Sequence, residues 1–284
     1  MRWGRAPAKL NLTLRVLQVR PDGYHEIESL VAFGAICDWL GFEPGSPLGL
    51  TVEGPNAKDT GPLGDNLVLR AARALESRAP GLTLGRFRLV KRLPAAAGLG
   101  GGSADAAAAL RRLAEANGLA PDDPRVGEAA AETGADVPVC LNPRVREMSG
   151  VGDVVGPTLR LPPLFAVLAN PQVAAPTGAV FKTYDSDPRP TAEGGARFDA
   201  DALVPVEAVE ASNNDLEAAA RKVAPAIGET LAALARLPKA RLVRMSGSGA
   251  TCFALFSEPQ AAALGAIRIL EEQPQWWAAA TALR

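Results

Sequence analysis

The 284-residue chain has few of the residue types that build metal and redox sites. It contains a single histidine, His25, so a site made of several histidines is excluded, and a Ser-His-Asp triad would have to use that residue. The three cysteines, Cys37, Cys140 and Cys252, are odd in number, far apart and without a C-x-x-C pair, which argues against a disulfide framework or a zinc site. Because free thiols suit a reducing compartment, we expect a cytoplasmic protein.

Long hydrophobic runs and an excess of one charge are also absent. No apolar stretch approaches the roughly 18 residues of a membrane span. The first ten residues lack the apolar core of a signal peptide, so neither a signal nor a transit peptide is expected. Lys and Arg total 30 against 31 Asp and Glu, which leaves no basic surplus for a nucleic acid.

A strand is predicted near the N-terminus. Residues 9–16 alternate polar and apolar side chains, the pattern of a half-buried strand. Lys9 and Asn11 therefore lie on the same polar face, whose usual environment is solvent.

Helices are predicted where apolar residues recur at helical spacing, over residues 67–75 and 106–117. Residues 214–237 are predicted to form two helices broken near Pro225. Asp65 or Asn66 can cap the first helix, and Ser103 can cap the second. Strands and helices are mixed without regular alternation, which favours an α+β fold.

The chain is long enough for two domains, and a boundary is expected in a proline-containing stretch. We expect one domain over residues 1–157 and a second over residues 158–284. A polar segment with Pro and Gly, residues 185–195, is predicted to be a mobile loop.

The strongest functional signal is the segment GLGGGS at residues 98–103, directly before a predicted helix. Main-chain N–H groups without neighbouring Cβ atoms approach an anion closely, and a helix N-terminus adds about half a positive charge. The segment predicts a phosphate site, and a flexible connection is the alternative. It lacks the lysine of a Walker A loop. A dinucleotide motif would need a strand running straight into the loop and an acidic residue at a strand end about 20 residues on. The sequence shows neither, so a dehydrogenase is only the second interpretation.

Three ordered segments resemble motifs of the GHMP kinases, the superfamily of galactokinase, homoserine kinase, mevalonate kinase and phosphomevalonate kinase. They are PAKLNL at 7–12, PAAAGLGGGSA at 94–104 and SGSGAT at 246–251. Segments that resemble the branch acting on cytidine-diphosphate methylerythritol stand at 20–25, 100–103, 133–138 and 213–217. The resemblance implies an α+β fold with a ribosomal S5 domain 2-like N-terminal domain and a ferredoxin-like C-terminal domain.

The resemblance also implies a reaction. The γ-phosphate of ATP passes to the 2-hydroxyl of the cytidine-diphosphate substrate, in the methylerythritol phosphate route to isoprenoids. Asp136 is then the general base, and Lys9 is its electrostatic partner, which keeps Asp136 ionised and screens developing negative charge. Without the resemblance, a loop-capping role is the favoured alternative for Asp136. ATP implies Mg²⁺, and Ser103 contacts either the metal or a phosphate.

The binding residues implied by the resemblance fall into two groups. Asn11 orients the substrate, Tyr24 and Phe181 stack on the two faces of the cytosine, and His25 hydrogen-bonds its edge. Core packing is the alternative for Phe181, and a plain helix cap is the alternative for Asn66. The residues assigned to ATP are Asn66, Pro94, Gly98, Leu99, Gly100, Gly101, Gly102, Ser103 and Ala104.

Two other functions stay open at this point. One is another member of the superfamily, such as a homoserine or mevalonate kinase, against which Tyr24, His25 and the Asp136 segment argue. The other is a nucleotide-binding module without catalysis, against which the presence of both Lys9 and Asp136 argues. We expect a small-molecule substrate, and neither a nucleic acid nor a membrane as a partner. The sequence does not determine the oligomeric state.

Overall fold

The computed structural model describes residues 1–45, 47–188 and 198–284. They form two compact units. Unit 1 comprises Met1–Lys9, Cys37–Ala95 and Gly100–Pro143, and unit 2 comprises Leu10–Ile36, Ala96–Leu99 and Arg144–Arg284. Each unit contains helices and sheet strands, which confirms the α+β class. The domain boundary between residues 157 and 158 stays a prediction, and the loop predicted over 185–195 lies outside the described residues from 189 onward.

The sheet of unit 1 is built on β5 (Gly85–Val90). It pairs antiparallel with the C-terminal part of β3 (His25–Pro44) and parallel with β4 (Gly49–Glu53). The N-terminal strand β1 (Arg2–Asn11) also pairs with β3. Because β5 alternates buried and exposed residues, one of its faces packs into the core.

The described residues of unit 1 form four α-helices, namely α1 (Leu67–Arg78), α2 (Gly101–Ala116), α3 (Pro124–Thr133) and α4 (Val137–Leu141). Helix α1 packs on α2 and α3, and α2 also packs on α4. The first helix is confirmed, with Asn66 as its N-cap.

The predicted cap of the second helix is wrong, because α2 begins at Gly101 and Gly100 is its N-cap. Glycine is a weak helix former, so the sequence pattern placed these residues in a loop. Ser103 is the third residue of α2.

The described strands of unit 2 pair antiparallel and belong to two sheets. In the first, the N-terminal part of β3 pairs with β2 (Arg15–Val19) and β6 (Arg146–Ser149), and β6 pairs with β7 (Val154–Thr158). The second sheet has four strands, in the order β11 (Trp277–Ala282), β8 (Phe165–Asn170), β10 (Cys252–Phe256) and β9 (Leu242–Met245).

The single strand predicted over residues 9–16 is wrong, since β1 ends at Asn11 and β2 begins at Arg15. Between them, the Thr13 hydroxyl accepts a hydrogen bond from the main chain of β3, and the Thr13 carbonyl accepts one from the Ser29 hydroxyl. These side-chain bonds replace the regular ladder. The expectation of a solvated face is also wrong, because Lys9 and Asn11 are each only 3% exposed.

The described residues of unit 2 form five α-helices, namely α5 (Thr177–Asp185), α6 (Val206–Glu210), α7 (Glu217–Val223), α8 (Ala226–Ala235) and α9 (Pro259–Glu272). The predicted break near Pro225 is confirmed, because α7 ends and α8 begins on either side of it. Within the described residues, none of the helices has the length and hydropathy that crossing a membrane requires.

Candidate functional site

The glycine-rich segment ends in the first turn of α2. Gly100 is the N-cap residue with φ +58°, and the helix begins at the next residue. The first N–H groups of a helix have no partner inside the helix, and the helix dipole makes this end positive. The chain therefore presents unshielded N–H donors where an anion is most favourable.

Lys9 of β1 lies directly against this loop. A Cβ atom on Gly100 would lie 3.2 Å from both Cβ and Cε of Lys9, closer than ordinary van der Waals contact. The left-handed conformation of Gly100 would also strain any other residue. Both constraints require glycine at this position and keep the lysine side chain beside the loop.

Asp136 forms an ion pair with Lys9. The distance from Nζ of Lys9 to Oδ2 of Asp136 is 2.9 Å, and the lysine side chain is 4% exposed while the aspartate side chain is 35% exposed. Asp136 is the N-cap residue of α4, yet its side chain accepts no capping hydrogen bond from the described part of the chain. The loop-capping alternative is therefore not what the geometry shows. The buried Lys9 ammonium instead binds the Asp136 carboxylate, which remains partly exposed to solvent.

A buried cluster of charges next to the loop was missed from the sequence. Nζ of Lys91 donates to Oδ2 of Asp38 at 2.5 Å and to Oδ2 of Asp105 at 2.8 Å. All three residues are at most 3% exposed. A Cβ atom on Gly101 would lie 3.4 Å from the Lys91 ammonium, so the cluster adjoins the first turn of α2. A signal existed, since Asp38 interrupts an apolar strand and Asp105 an alanine-rich helix.

Burial controls protonation in this cluster. It raises the pKa of Asp105 to about 8, against the attraction of Lys91 and with the help of the negative charge on Asp38. Burial alone would lower the pKa of Lys91, but attraction to Asp105 and Asp38 and the hydrogen bonds to them raise it above its usual value. Asp105 therefore keeps a proton at neutral pH, and Lys91 stays charged.

Asp105→Asn is expected to flatten the pH dependence of stability. Folded Asp105 holds its proton up to about pH 8, whereas an unfolded aspartate releases it near pH 4. Its stabilising contribution is therefore complete below about pH 4 and is lost as the pH rises through about 8. Asparagine is neutral and similar in shape, so the melting temperature of the variant should fall less between about pH 6 and pH 9. Calorimetry of wild type, this variant and the exposed Asp122→Asn measures the difference. Equal slopes in all three proteins would contradict it.

In unit 2 the structure brings His25 and Phe181 together. Their rings stack with centroids 4.5 Å apart and an interplanar angle of 28°. Nε2 of His25 lies 2.6 Å from Oδ1 of Asp185, which fixes the imidazole orientation. Phe181 also packs on the core of this unit, as its alternative interpretation expected. Tyr24 is 65% exposed.

Asn11 is held in a hydrogen-bonded chain within unit 2. Its Nδ2 donates to the Ser29 hydroxyl at 2.7 Å, and its main-chain N–H donates to the Ser246 hydroxyl at 3.1 Å. That hydroxyl in turn donates to the carbonyl of Gly98 at 2.8 Å. A Cβ atom on Gly98 would lie 2.8 Å from the carbonyl oxygen of Gly249, so the two glycine-rich segments approach main chain to main chain.

The remaining residues predicted to bind ATP are either buried, a helix cap or part of a loop. The side chains of Leu99 and Ala104 are buried in the core. Asn66 caps α1, since its Oδ1 accepts from the N–H of Val68 at 3.0 Å. Pro94 lies in the loop that follows β5. Any contact that Leu99 or Ala104 makes with a nucleotide must therefore come from backbone atoms.

A cavity of about 480 Å³ lies in unit 2, between the first sheet and α6. Arg15, Glu28, Met148 and Val209 are among its lining residues. The described lining includes none of the residues assigned to catalysis or binding from the sequence.

Family models match both parts of the chain. The GHMP kinases N terminal domain matches residues 66–143, which contain the glycine-rich segment and Asp136. The GHMP kinases C terminal model matches residues 203–271. The two matches stand in the order that the sequence motifs predicted.

Similar proteins extend over almost the whole chain. A 4-diphosphocytidyl-2-C-methyl-D-erythritol kinase of Methylobacterium radiotolerans is 54% identical, with 99% of this chain and 98% of that protein covered. One of Xanthobacter autotrophicus has the same identity and coverage. A crystal structure of 4-(cytidine 5'-diphospho)-2C-methyl-D-erythritol kinase is 35% identical, with a TM-score of 0.76 and 99% of both chains covered. A homoserine kinase from Cytophaga hutchinsonii, 17% identical with a TM-score of 0.66 and with 99% of this chain and 93% of that chain covered, shares the fold. With these matches over nearly its full length, the chain belongs to the GHMP kinase family.

Proposed function

We propose that this chain transfers the γ-phosphate of ATP to the 2-hydroxyl of 4-diphosphocytidyl-2-C-methyl-D-erythritol, in the methylerythritol phosphate route to isoprenoids. The observation that carries the proposal is 54% identity over 99% of the chain to a kinase of that name. The Lys9–Asp136 pair beside the glycine-rich loop supports it independently. A cytoplasmic location stays an expectation, which the three free cysteines support.

The ATP phosphates are assigned to the N-terminal end of α2. The N–H groups of Gly101, Gly102 and Ser103 have no partner earlier in the helix and point toward this end. Gly100, with φ +58°, allows the main chain to approach the phosphates without a side chain between them. The positive end of the helix dipole adds attraction for the negative charge.

Asp136 serves as the base. Its carboxylate takes the proton of the 2-hydroxyl as that oxygen attacks the γ-phosphorus, and the bond from phosphorus to the bridging oxygen of ADP breaks. Lys9 holds the carboxylate in place through the 2.9 Å contact. The same ammonium stabilises negative charge on the attacking oxygen and on the transferring phosphoryl group.

Mg²⁺ is expected to bind together with the nucleotide. The described residues contain no group of three or more acidic, histidine or cysteine side chains suited to a metal. In kinases Mg²⁺ is usually held by substrate phosphates, water and only one or two protein side chains. Ser103, in the first turn of α2, is the residue that would contact it. The ion would neutralise phosphate charge.

The cytidine is assigned to Tyr24, His25 and Phe181. The exposed Tyr24 ring offers a flat surface for stacking. Asp185 fixes the orientation of the His25 imidazole, as a residue that reads a base edge requires. Phe181, whose ring stacks on the His25 imidazole, is assigned to the second face of the cytosine, opposite Tyr24.

The acceptor is tested by measuring ADP release with three alcohols. We expect turnover with 4-diphosphocytidyl-2-C-methyl-D-erythritol and none with homoserine or mevalonate. Turnover with one of the other alcohols alone would assign the chain to a different kinase. ATP binding without turnover of any of them would leave only a nucleotide-binding module.

Gly100→Ala is expected to weaken ATP binding by about tenfold or more. An alanine lets the free loop relax from the left-handed conformation, and restoring that conformation on binding costs about 1–3 kcal/mol. Each 1.4 kcal/mol changes affinity about tenfold. The new Cβ would also press on Lys9. Gly127→Ala on α3 is the matched control, because its Cβ would enter open space. Calorimetric titration with ATP compares the two variants, and equal affinities would mean that this loop does not hold the phosphates.

Tyr24→Ala is expected to raise the KM for the cytidine substrate by about 5- to 150-fold, since stacking contributes about 1–3 kcal/mol per base. The KM for ATP should change little. Tyr24 is 65% exposed, so stability should be unaffected. Trp3→Ala, which removes another exposed aromatic side chain, is the control. A rise in the KM for ATP alone would assign this surface to the adenine instead.

A further inference from the structure

Arg111 of α2 links α4 to β1. Its Nη1 donates to the carbonyl oxygens of Cys140 at 2.7 Å and Leu141 at 3.3 Å. Its Nη2 donates to the carbonyl oxygen of Arg5 at 2.8 Å. The first two carbonyls end α4, where no further turn of helix supplies N–H donors. One guanidinium therefore satisfies a helix end and fixes a strand at the same time.

The two linked elements are those that carry the Lys9–Asp136 pair. Asp136 begins α4, one helical turn before Cys140. Lys9 follows Arg5 by four residues in β1, about 13 Å along the strand. The ion pair and the guanidinium thus connect the same helix and the same strand at two separate points. A helix and strand joined at two points cannot pivot about either one.

The chemistry of this link suits arginine. Its acceptors are three carbonyl oxygens from two elements, which the planar fork of a guanidinium can reach together and a single ammonium cannot. Burial lowers the pKa of Arg111 to about 10, and the neighbouring Arg112 lowers it as well. The side chain is still a cation at neutral pH, so its hydrogen bonds are charge-assisted.

We propose that Arg111 is a positioning residue for phosphoryl transfer. It fixes the separation of α4 and β1, and through them the contact between the Lys9 ammonium and the Asp136 carboxylate. The inference rests on the proposed function, which gives that pair its catalytic roles. The contacts of Arg111 are with main-chain carbonyls, so its role is exerted through the two elements that it links.

Arg111→Met tests the claim, with Arg112→Met as the matched control. Arg112 is the next residue of α2 and pairs with Glu115 of the same helix. We expect Arg111→Met to lower kcat by about 10- to 100-fold, since misplacement by about 1 Å can have that effect. Both KM values should stay within about twofold. Arg111→Lys, which keeps the charge, should lie between. An unchanged kcat, or an effect confined to the KM for ATP, would overturn the proposal.

A crystal structure of Arg111→Met separates this inference from the proposed function. Nζ of Lys9 and Oδ2 of Asp136, 2.9 Å apart in the wild type, are expected to move beyond hydrogen-bond reach. Retention of the contact would overturn the positioning role whatever the activity. Lack of turnover in the wild type would instead overturn the proposed function. The distance from Lys9 Nζ to Asp136 Oδ2 in the variant would still show whether Arg111 positions the pair. If the methionine variant fails to fold, the same distance is measured in Arg111→Lys.

Discussion

Asp136→Asn is expected to lower kcat by about 10²- to 10⁴-fold, the usual contribution of a positioned general base. An amide cannot take the proton of the 2-hydroxyl, although it has nearly the same shape as the carboxylate. The fold should persist, because the side chain is 35% exposed and the amide oxygen can still accept from Lys9. Steady-state kinetics together with ATP titration of the folded variant measures the effect.

Asp122→Asn provides the control for this substitution. Asp122 lies in an exposed loop of the same unit, so the same loss of charge there should leave kcat unchanged. Near wild-type turnover in folded Asp136→Asn would remove Asp136 from the role of base. Loss of ATP binding in the variant would point to a role in the nucleotide site instead.

Lys9→Ala is expected to lower kcat by about 10²- to 10³-fold, since a preorganised group that stabilises transition-state charge contributes that much. The ammonium lies 2.9 Å from the carboxylate of Asp136, so its loss removes charge stabilisation and positioning together. Lys9→Arg should not restore full activity. The lysine side chain is 4% exposed and lies against Gly100, so a planar guanidinium does not fit the space of a compact ammonium.

The exposed Lys58→Ala in the same unit is the control for a lost positive charge. The kcat and the ATP affinity of wild type and the three variants are compared at a temperature below the melting temperature of each protein. A fully active Lys9→Arg variant would contradict a close contact of Lys9 with the reacting groups.

Local sequence patterns predicted the helices and breaks that depend mainly on neighbouring residues. The helix capped by Asn66 follows from apolar spacing and a side-chain cap, and the break near Pro225 follows from the missing N–H of proline. The glycine-rich segment before α2 was recognisable because a run of glycine marks an unusual backbone. The start of α2 was missed, since weak helix formers can still occupy a first turn when tertiary contacts favour it.

Local sequence patterns do not predict contacts between residues that are distant in the sequence. Nothing local to Asp38, Lys91 or Asp105 indicates that they share one buried site, although each charge in an apolar segment was a hint. The interruption at Thr13 depends on hydrogen bonds from β3, so the alternation of residues 9–16 suggested one strand where there are two. The Lys9–Asp136 contact was expected only from the resemblance, because 127 positions separate the two residues.

The transfer itself is tested most directly by ³¹P NMR of the purified chain with ATP, Mg²⁺ and 4-diphosphocytidyl-2-C-methyl-D-erythritol. The account predicts that ATP is converted to ADP while one new phosphomonoester signal grows at the same rate and the diphosphate signals of the acceptor persist. Asp136→Asn should form this product about 10²- to 10⁴-fold more slowly. Release of inorganic phosphate without a phosphomonoester, or no consumption of ATP, would contradict the account.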